Sequence, residues 1–148
     1  NDFFKNNDED KIWYSSVVNG VHFDKWPIDK SSYDDWGKEG LKLQIQYMNK
    51  LKNLLDENDI DLTVVVYPWI SQIWYEDLNS LQVKIWQDWS KKNSTNFINL
   101  FPLFVKKNIS DSKKDKIIND NFIKGDFHFN EKGNIIIAEE LIDKFENK

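Results

Sequence analysis

One of the two histidines of the chain stands two residues after an aspartate, in the segment Gly125-Asp126-Phe127-His128. Side chains two apart in an extended segment point to the same side. Asp126 can therefore hydrogen-bond one ring nitrogen of His128 at about 3.2 Å or less and leave the other nitrogen free to take a proton. An acid that orients a histidine and a histidine that acts as a base are two of the three members of a nucleophilic triad.

The longer run that begins at Asp126, Asp-x-His-Phe-Asn-x-x-Gly-Asn, resembles the last conserved block of the SGNH (GDSL-like) hydrolases and their O-acetyltransferase relatives. In that family an Asp and a His just before the final helix complete a Ser-His-Asp triad. The resemblance implies that a serine attacks an acyl ester and that His128 takes the serine proton and later delivers it to the leaving group. It also implies that Asp126 holds His128 in the productive tautomer.

The resemblance extends to the fold, which it predicts to be α/β, with three α/β/α layers around a mainly parallel, flavodoxin-like sheet. Leu62 to Trp69 looks like a late core strand of that fold, and Phe97 to Phe101 looks like the next strand. These segments would make the chain a single α/β domain, or the C-terminal part of an SGNH-like domain truncated at its N-terminus. Residues 1–36 are predicted to be irregular and residues 37–148 to form the α/β core.

Two features depart from the family's pattern. The family usually separates the Asp and the His by two residues, whereas only Phe127 intervenes here. The Gly-Asp-Ser block that carries the nucleophile is absent from the chain. The first residues are Asn1-Asp2, without a Met, and we interpret this start as a cut, which leaves open whether it lies inside an SGNH-like domain, downstream of a nucleophile serine. Asn1-Asp2 would then be the end of the family's Gly-x-Asn-Asp oxyanion block, an interpretation that two residues leave open.

A purely structural interpretation of the motif exists. Asn130 is a good N-cap residue for the last helix, so the segment could be a polar loop that starts a helix. That interpretation does not explain a histidine two after an aspartate, and we favour the catalytic one. The other histidine, His22, has no orienting acid at a recognisable spacing and is predicted to be a loop residue packed among aromatics. No metal-ligand spacing is present, so neither a metal nor a cofactor is predicted.

The elements that must position the motif follow from hydrophobic periodicity. Lys38 to Asn58 is predicted to be an amphipathic helix lying on the sheet, with Leu43, Tyr47 and Leu54 widening its apolar stripe. The other predicted elements are strands over 62–67 and 97–100, a helix over 78–91, a helical turn opened by Pro102, a mobile loop over 106–116 and a last helix over 131–145 that buries Ile135, Ala138, Leu141, Ile142 and Phe145.

The residues after the first predicted strand are candidates for substrate binding, because ligands bind at the carboxyl ends of strands in open α/β sheets. Trp69 and Gln72 are predicted to line a pocket there, on the same sheet edge as the His128 loop. The alternative is that the aromatic residues only cap the core. Ser71 lacks the glycines of a nucleophile elbow, and we discount it as a nucleophile.

Composition limits the partners. The net charge is −5 and all 20 basic residues are Lys, so bidentate contacts to phosphate or guanine are missing and nucleic acid is not predicted. No apolar run reaches the roughly 20 residues that span a bilayer. The resemblance implies a small-molecule or carbohydrate acyl ester as substrate. A competing function, suggested by 7 Trp and 15% aromatic residues, is a non-catalytic carbohydrate- or protein-binding module.

Overall fold

The chain has a mixed α/β fold that is mostly helical, as the computed structural model shows for residues 17–18, 21–22 and 24–146. In chain order the elements are β1 (Val17–Val18), β2 (Val21–His22), α1 (Lys30–Ser32), a π-helical segment (Tyr33–Gly37), α2 (Lys38–Asp56), β3 (Thr63–Val66), α3 (Ile70–Trp74), α4 (Leu81–Lys92), β4 (Asn96–Asn99), α5 (Phe101–Phe104), α6 (Asp111–Asn121) and α7 (Glu131–Glu146). The predicted α/β class is confirmed. Residues 30–36, predicted to be irregular, are helical.

The described residues form two compact units, of which the first contains Lys25–Tyr67 and Asn79–Asn99. Here β3 and β4 pair in parallel, with Val64 opposite Phe97 and Val66 opposite Asn99. A parallel pair needs a long crossover between its strands, and α4, which lies within that crossover, packs against both strands. The strands predicted over 62–67 and 97–100 match β3 and β4 to within one residue at each end.

Helix α2 was predicted within two residues of its observed ends, but the prediction of its buried face was partly wrong. Leu41, Ile45 and Met48 are half-buried, whereas Tyr47 and Leu54, which were expected to widen the buried stripe, are exposed by 59% and 57%. Leu43 is also exposed, and no residue of α2 is fully buried. Periodicity reports that a helix is amphipathic, but it does not report how wide a surface the rest of the chain supplies to cover it.

The second unit contains Pro68–Leu78 and residues 100–146, together with Asp24 and the antiparallel pair of β1 and β2. An aromatic cluster forms part of its core. Phe104 and Phe122 are buried, and the half-buried ring of Phe129 lies 4.9 Å from Phe104 and 4.4 Å from Phe122, measured between ring centroids. Helix α6, which precedes the His128 loop, packs against both α3 and α7. These two contacts hold the helix from which the loop starts.

Two predictions about this unit were wrong. The loop expected over residues 106–116 is helical from Asp111 onward. This stretch has almost no apolar periodicity, and α6 is held by tertiary contacts, including a buried Ile118. Helix α7 was predicted correctly in extent, but Ile135, Ile142 and Phe145 are about half exposed, at 49%, 55% and 51%. Ala138 is exposed too, and Leu141 is half-buried.

No helix within residues 24–146 combines the length and the apolar character that crossing a bilayer requires.

Candidate functional site

The loop between α6 and α7 carries the candidate site and is closed by a short antiparallel contact. Phe122 and Phe129 form a β-bridge, and the backbone N–H of Ile123 donates to the carbonyl of His128 at 2.9 Å. The N–H of Asp126 donates to the carbonyl of Ile123 at 3.0 Å. Gly125 turns the chain at φ +78°, a conformation that favours glycine. The loop therefore presents Asp126 and His128 close to its tip.

Asp126 and His128 make the predicted hydrogen bond. His128 Nδ1 lies 2.8 Å from Asp126 Oδ1. The same oxygen accepts the backbone N–H of Phe127 at 2.6 Å and, at a longer 3.3 Å, that of His128. The hydrogen bond from the His128 side chain, assisted by the one from the Phe127 N–H, lowers the pKa of the Asp126 carboxyl, although partial burial opposes the shift. A carboxylate therefore faces Nδ1 at neutral pH, and Nδ1 of the neutral ring carries the proton.

The second ring nitrogen of His128 is available for chemistry. The side chain of His128 is 63% exposed. Within the part of the chain that the structure describes, Nε2 makes no hydrogen bond. Because Nδ1 keeps its proton by donating to Asp126, the lone pair of the neutral ring is on Nε2. A histidine in this state accepts a proton from a hydroxyl group within about 3 Å and returns it to a leaving group.

An aromatic stack adjoins the histidine. The rings of Trp69 and Phe127 are nearly parallel, 17° apart, with centroids 6.0 Å apart. The centroid of Phe127 also lies 4.1 Å from that of the His128 ring. Phe127 is 36% exposed and Trp69 is half-buried. The structure thus brings Trp69, which was singled out as a substrate-binding residue, to the loop that carries His128. A shared edge of the sheet for these two segments stays a prediction.

The other residues singled out after β3 are interior. Gln72 is completely buried, and its Oε1 accepts the backbone N–H of Trp69 at 2.9 Å. Its side chain therefore supports the backbone of Trp69 at the start of α3 and presents no exposed surface to a ligand. Ser71 is 5% exposed and donates its hydroxyl proton to the carbonyl of Asp24 at 2.9 Å. This agrees with its dismissal as a nucleophile.

One residue of the site, Phe127, is not recognised from the sequence as part of it. The sequence places Phe127 only as the residue that separates Asp126 from His128. The available signal was an aromatic ring directly beside a histidine. Asn1-Asp2, proposed as an oxyanion remnant, lies outside the described residues, as does the side chain of His22. Residues 24–146 hold no group of three or more His, Asp or Glu side chains that could bind a metal ion.

Comparison with protein-family models, with curated proteins and with solved structures gives no match to this chain.

Proposed function

We propose that Asp126 and His128 are the orienting acid and the general base of an SGNH-type acyl-ester site, in a hydrolase or an O-acyltransferase. The observation that carries this proposal is the 2.8 Å hydrogen bond between His128 Nδ1 and Asp126, with Nε2 open to solvent. The proposal includes a three-layer α/β/α fold. It is supported by the parallel pair of β3 and β4, joined through helices, and by a dyad that lies just before the last helix.

The chemistry of the pair follows from its charges. When Nε2 takes a proton from an attacking hydroxyl, the ring becomes a cation, and the Asp126 carboxylate beside Nδ1 stabilises that cation. The Asp126 carboxyl is ionised at neutral pH, as an Asp ordinarily is, and the His128 hydrogen bond lowers its pKa further. The protonated ring then returns the proton to the leaving oxygen as the tetrahedral intermediate collapses. The nucleophile of the proposed reaction is a serine that this chain does not supply in a Gly-Asp-Ser block.

The aromatic stack supports small acyl esters such as O-acetylated carbohydrate as substrates. Trp69 and Phe127 form an apolar surface beside the His128 imidazole: Phe127 contacts the imidazole ring, and Trp69 stacks on Phe127. The C–H faces of a sugar and the methyl of an acetyl group both pack against such rings, which bury large apolar areas. In this proposal Trp69 contacts the substrate, and Gln72 contributes by holding the backbone of Trp69.

Hydrolysis of p-nitrophenyl acetate tests the proposal. The 148-residue chain should run close to the uncatalysed rate, and His128→Ala should change little, because a triad without its nucleophile loses almost all of its rate enhancement. In a protein that carries both a Gly-Asp-Ser block and this chain, His128→Ala should reduce kcat by about 10⁴-fold or more. The matched control is His22→Ala, which changes the other histidine and should leave kcat unchanged.

Two results would overturn the assignment. Strong, His128-dependent turnover by the 148-residue chain alone would mean that the nucleophile lies within it, and Ser15, Ser16 and Ser71 would be the first serines to replace. Absence of turnover from the folded larger protein, over a panel of acyl esters, would favour the binding module instead.

The binding module is the less supported of the two functions. A carbohydrate- or protein-binding surface built from tryptophans needs several of them exposed side by side. Trp86 and Trp89 are buried, and the other tryptophans of the described part are half-buried: Trp26, Trp36, Trp69 and Trp74. The stacked pair of Trp69 and Phe127 is the feature that such a module would use.

A further inference from the structure

One asparagine, Asn130, connects the two helices that flank the loop of the candidate site. Its Nδ2 donates to the carbonyls of Asp120 and Phe122, at 3.0 and 3.2 Å. Its backbone N–H donates to the carbonyl of Asn121 at 2.9 Å. Its Oδ1 accepts the backbone N–H of Gly133 at 3.0 Å. A single residue therefore contacts three consecutive carbonyls at the end of α6 and also caps the start of α7.

These contacts satisfy groups that neither helix can satisfy by itself. The last carbonyls of an α-helix and the first N–H groups of the next have no partner within their own helix. An N-cap side chain supplies only the second need, and the sequence predicted only that role for Asn130. The additional bonds to residues 120–122 link the exit of α6 to the entry of α7. The two ends of the loop are thereby held at a fixed separation.

The hydrogen bonds lead from Asn130 to the dyad in few steps. Asn130 holds the carbonyl of Phe122, and the next residue, Ile123, bonds to both members of the dyad. The N–H of Ile123 donates to His128, and its carbonyl accepts from Asp126. A displacement of Ile123 would therefore move the backbones of Asp126 and His128 relative to each other. Apart from these backbone bonds, the dyad is on an exposed turn.

We propose that Asn130 is a positioning residue that holds the backbones of Asp126 and His128 in the register their side-chain hydrogen bond requires. Its catalytic consequence rests on the function proposed above. Asn130 does not touch the reacting atoms. It acts by joining α6 to α7 behind the loop.

NMR on the 148-residue chain tests this inference with the substitution Asn130→Ser. Serine remains a good N-cap for α7, but its shorter side chain has no amide to donate to α6. We expect the His128 ring ¹⁵N shifts to lose their preference for the Nδ1–H tautomer. We also expect the pKa of the Asp126 carboxyl, followed by ¹³C NMR, to rise toward its ordinary value, because its hydrogen bond from His128 is the largest cause of the lowering.

The matched control is Asn93→Ser. Asn93 is a half-buried asparagine at the end of α4, and its Nδ2 donates to the carbonyl of Trp89 at 2.8 Å. It thus loses a comparable helix-end bond without any link to the loop, and the signals of His128 and Asp126 should not change. If Asn130→Ser does not fold, Asn130→Asp keeps the size and the N-cap while removing both donors. The His128 ring ¹⁵N shifts in this variant should show the same loss of preference for the Nδ1–H tautomer.

Unchanged His128 and Asp126 signals in a folded Asn130 variant would refute the positioning role. This readout needs neither a nucleophile nor a substrate, so it is independent of the ester-hydrolysis assay. If the NMR changes occur but the larger protein has no esterase activity, the proposed function fails and the positioning role stands. If His128-dependent activity exists and survives Asn130→Ser with an unchanged kcat, only the positioning role fails.

Discussion

Gly133 lies where α7 crosses the end of α6, and replacing it with alanine should destabilise the protein. A Cβ built on Gly133 lies 2.7 Å from Cδ1 of Phe129 and closer still to the carbonyl oxygen of Asn121. That carbonyl already accepts the N–H of Asn130, so it cannot move without loss of a hydrogen bond. Crowding of this kind costs about 1–3 kcal/mol or more, whereas the gain in helix propensity is at most about 1 kcal/mol.

The net effect expected for Gly133→Ala is a loss of about 2 kcal/mol in the free energy of unfolding, or roughly 4–8 °C in Tm for a chain of this size. Gly40→Ala is the matched control, because it makes the same substitution in α2 where a Cβ meets no atom within 4 Å. It should gain about 0.5–1 kcal/mol. Urea denaturation followed by circular dichroism measures both. Equal stability of the two variants would show that α7 does not approach α6 as closely as described.

Two further predictions concern carboxylates. His128→Ala should raise the pKa of Asp126 toward its ordinary value, read by ¹³C NMR, because the His128 hydrogen bond is the main cause of the lowering. A lowered Asp pKa stabilises the folded protein above the ordinary Asp pKa, and this contribution is lost as the pH falls through the lowered value. The free energy of unfolding of His128→Ala should therefore change less between neutral and acid pH. An unchanged Asp126 pKa in this variant would contradict the hydrogen bond. Glu76→Gln should cost about 1 kcal/mol. The Glu76 carboxylate accepts the N–H of Asn108 at 2.9 Å, the largest cause of its own lowered pKa, and the uncharged amide oxygen of glutamine is a weaker acceptor for the same N–H. The Asn108 amide should then exchange faster with solvent, whereas Glu39→Gln, at an exposed helix pair, should leave that rate unchanged.

The parts of the fold that the sequence predicts well are those specified by local patterns. The apolar run before Tyr67 identifies β3, and the periodicity of 38–58 identifies α2. Asn130, followed by an apolar helix, gives the start of α7, and its side chain bonds to the N–H of Gly133 as an N-cap does. In each case the residues that determine the element are within a few positions of one another.

The errors share a physical cause, which is that coverage by distant parts of the chain cannot be inferred from one segment. Helix α6 has little apolar periodicity and is held by packing against α3 and α7. Its Lys114 bridges to Glu76 at 3.1 Å, a contact that no spacing rule predicts. The exposed faces of α2 and α7 are the opposite error. Their amphipathic pattern predicts burial, but within the described part of the chain Tyr47, Leu54, Ile135 and Ile142 are about half exposed or more.

The same distinction separates the two components of the candidate site. The hydrogen bond between Asp126 and His128 spans two residues within one turn, and for that reason a spacing argument was sufficient to predict it. The stack of Trp69 on Phe127 joins segments far apart in the sequence and was accessible only as a general expectation about strand ends. If the proposed function is right, removing the stack should weaken substrate binding without disrupting the hydrogen bond between Asp126 and His128. Trp69→Ala should raise KM for an aromatic or sugar ester while the Nδ1–Oδ1 bond persists, because that bond is made entirely within the loop.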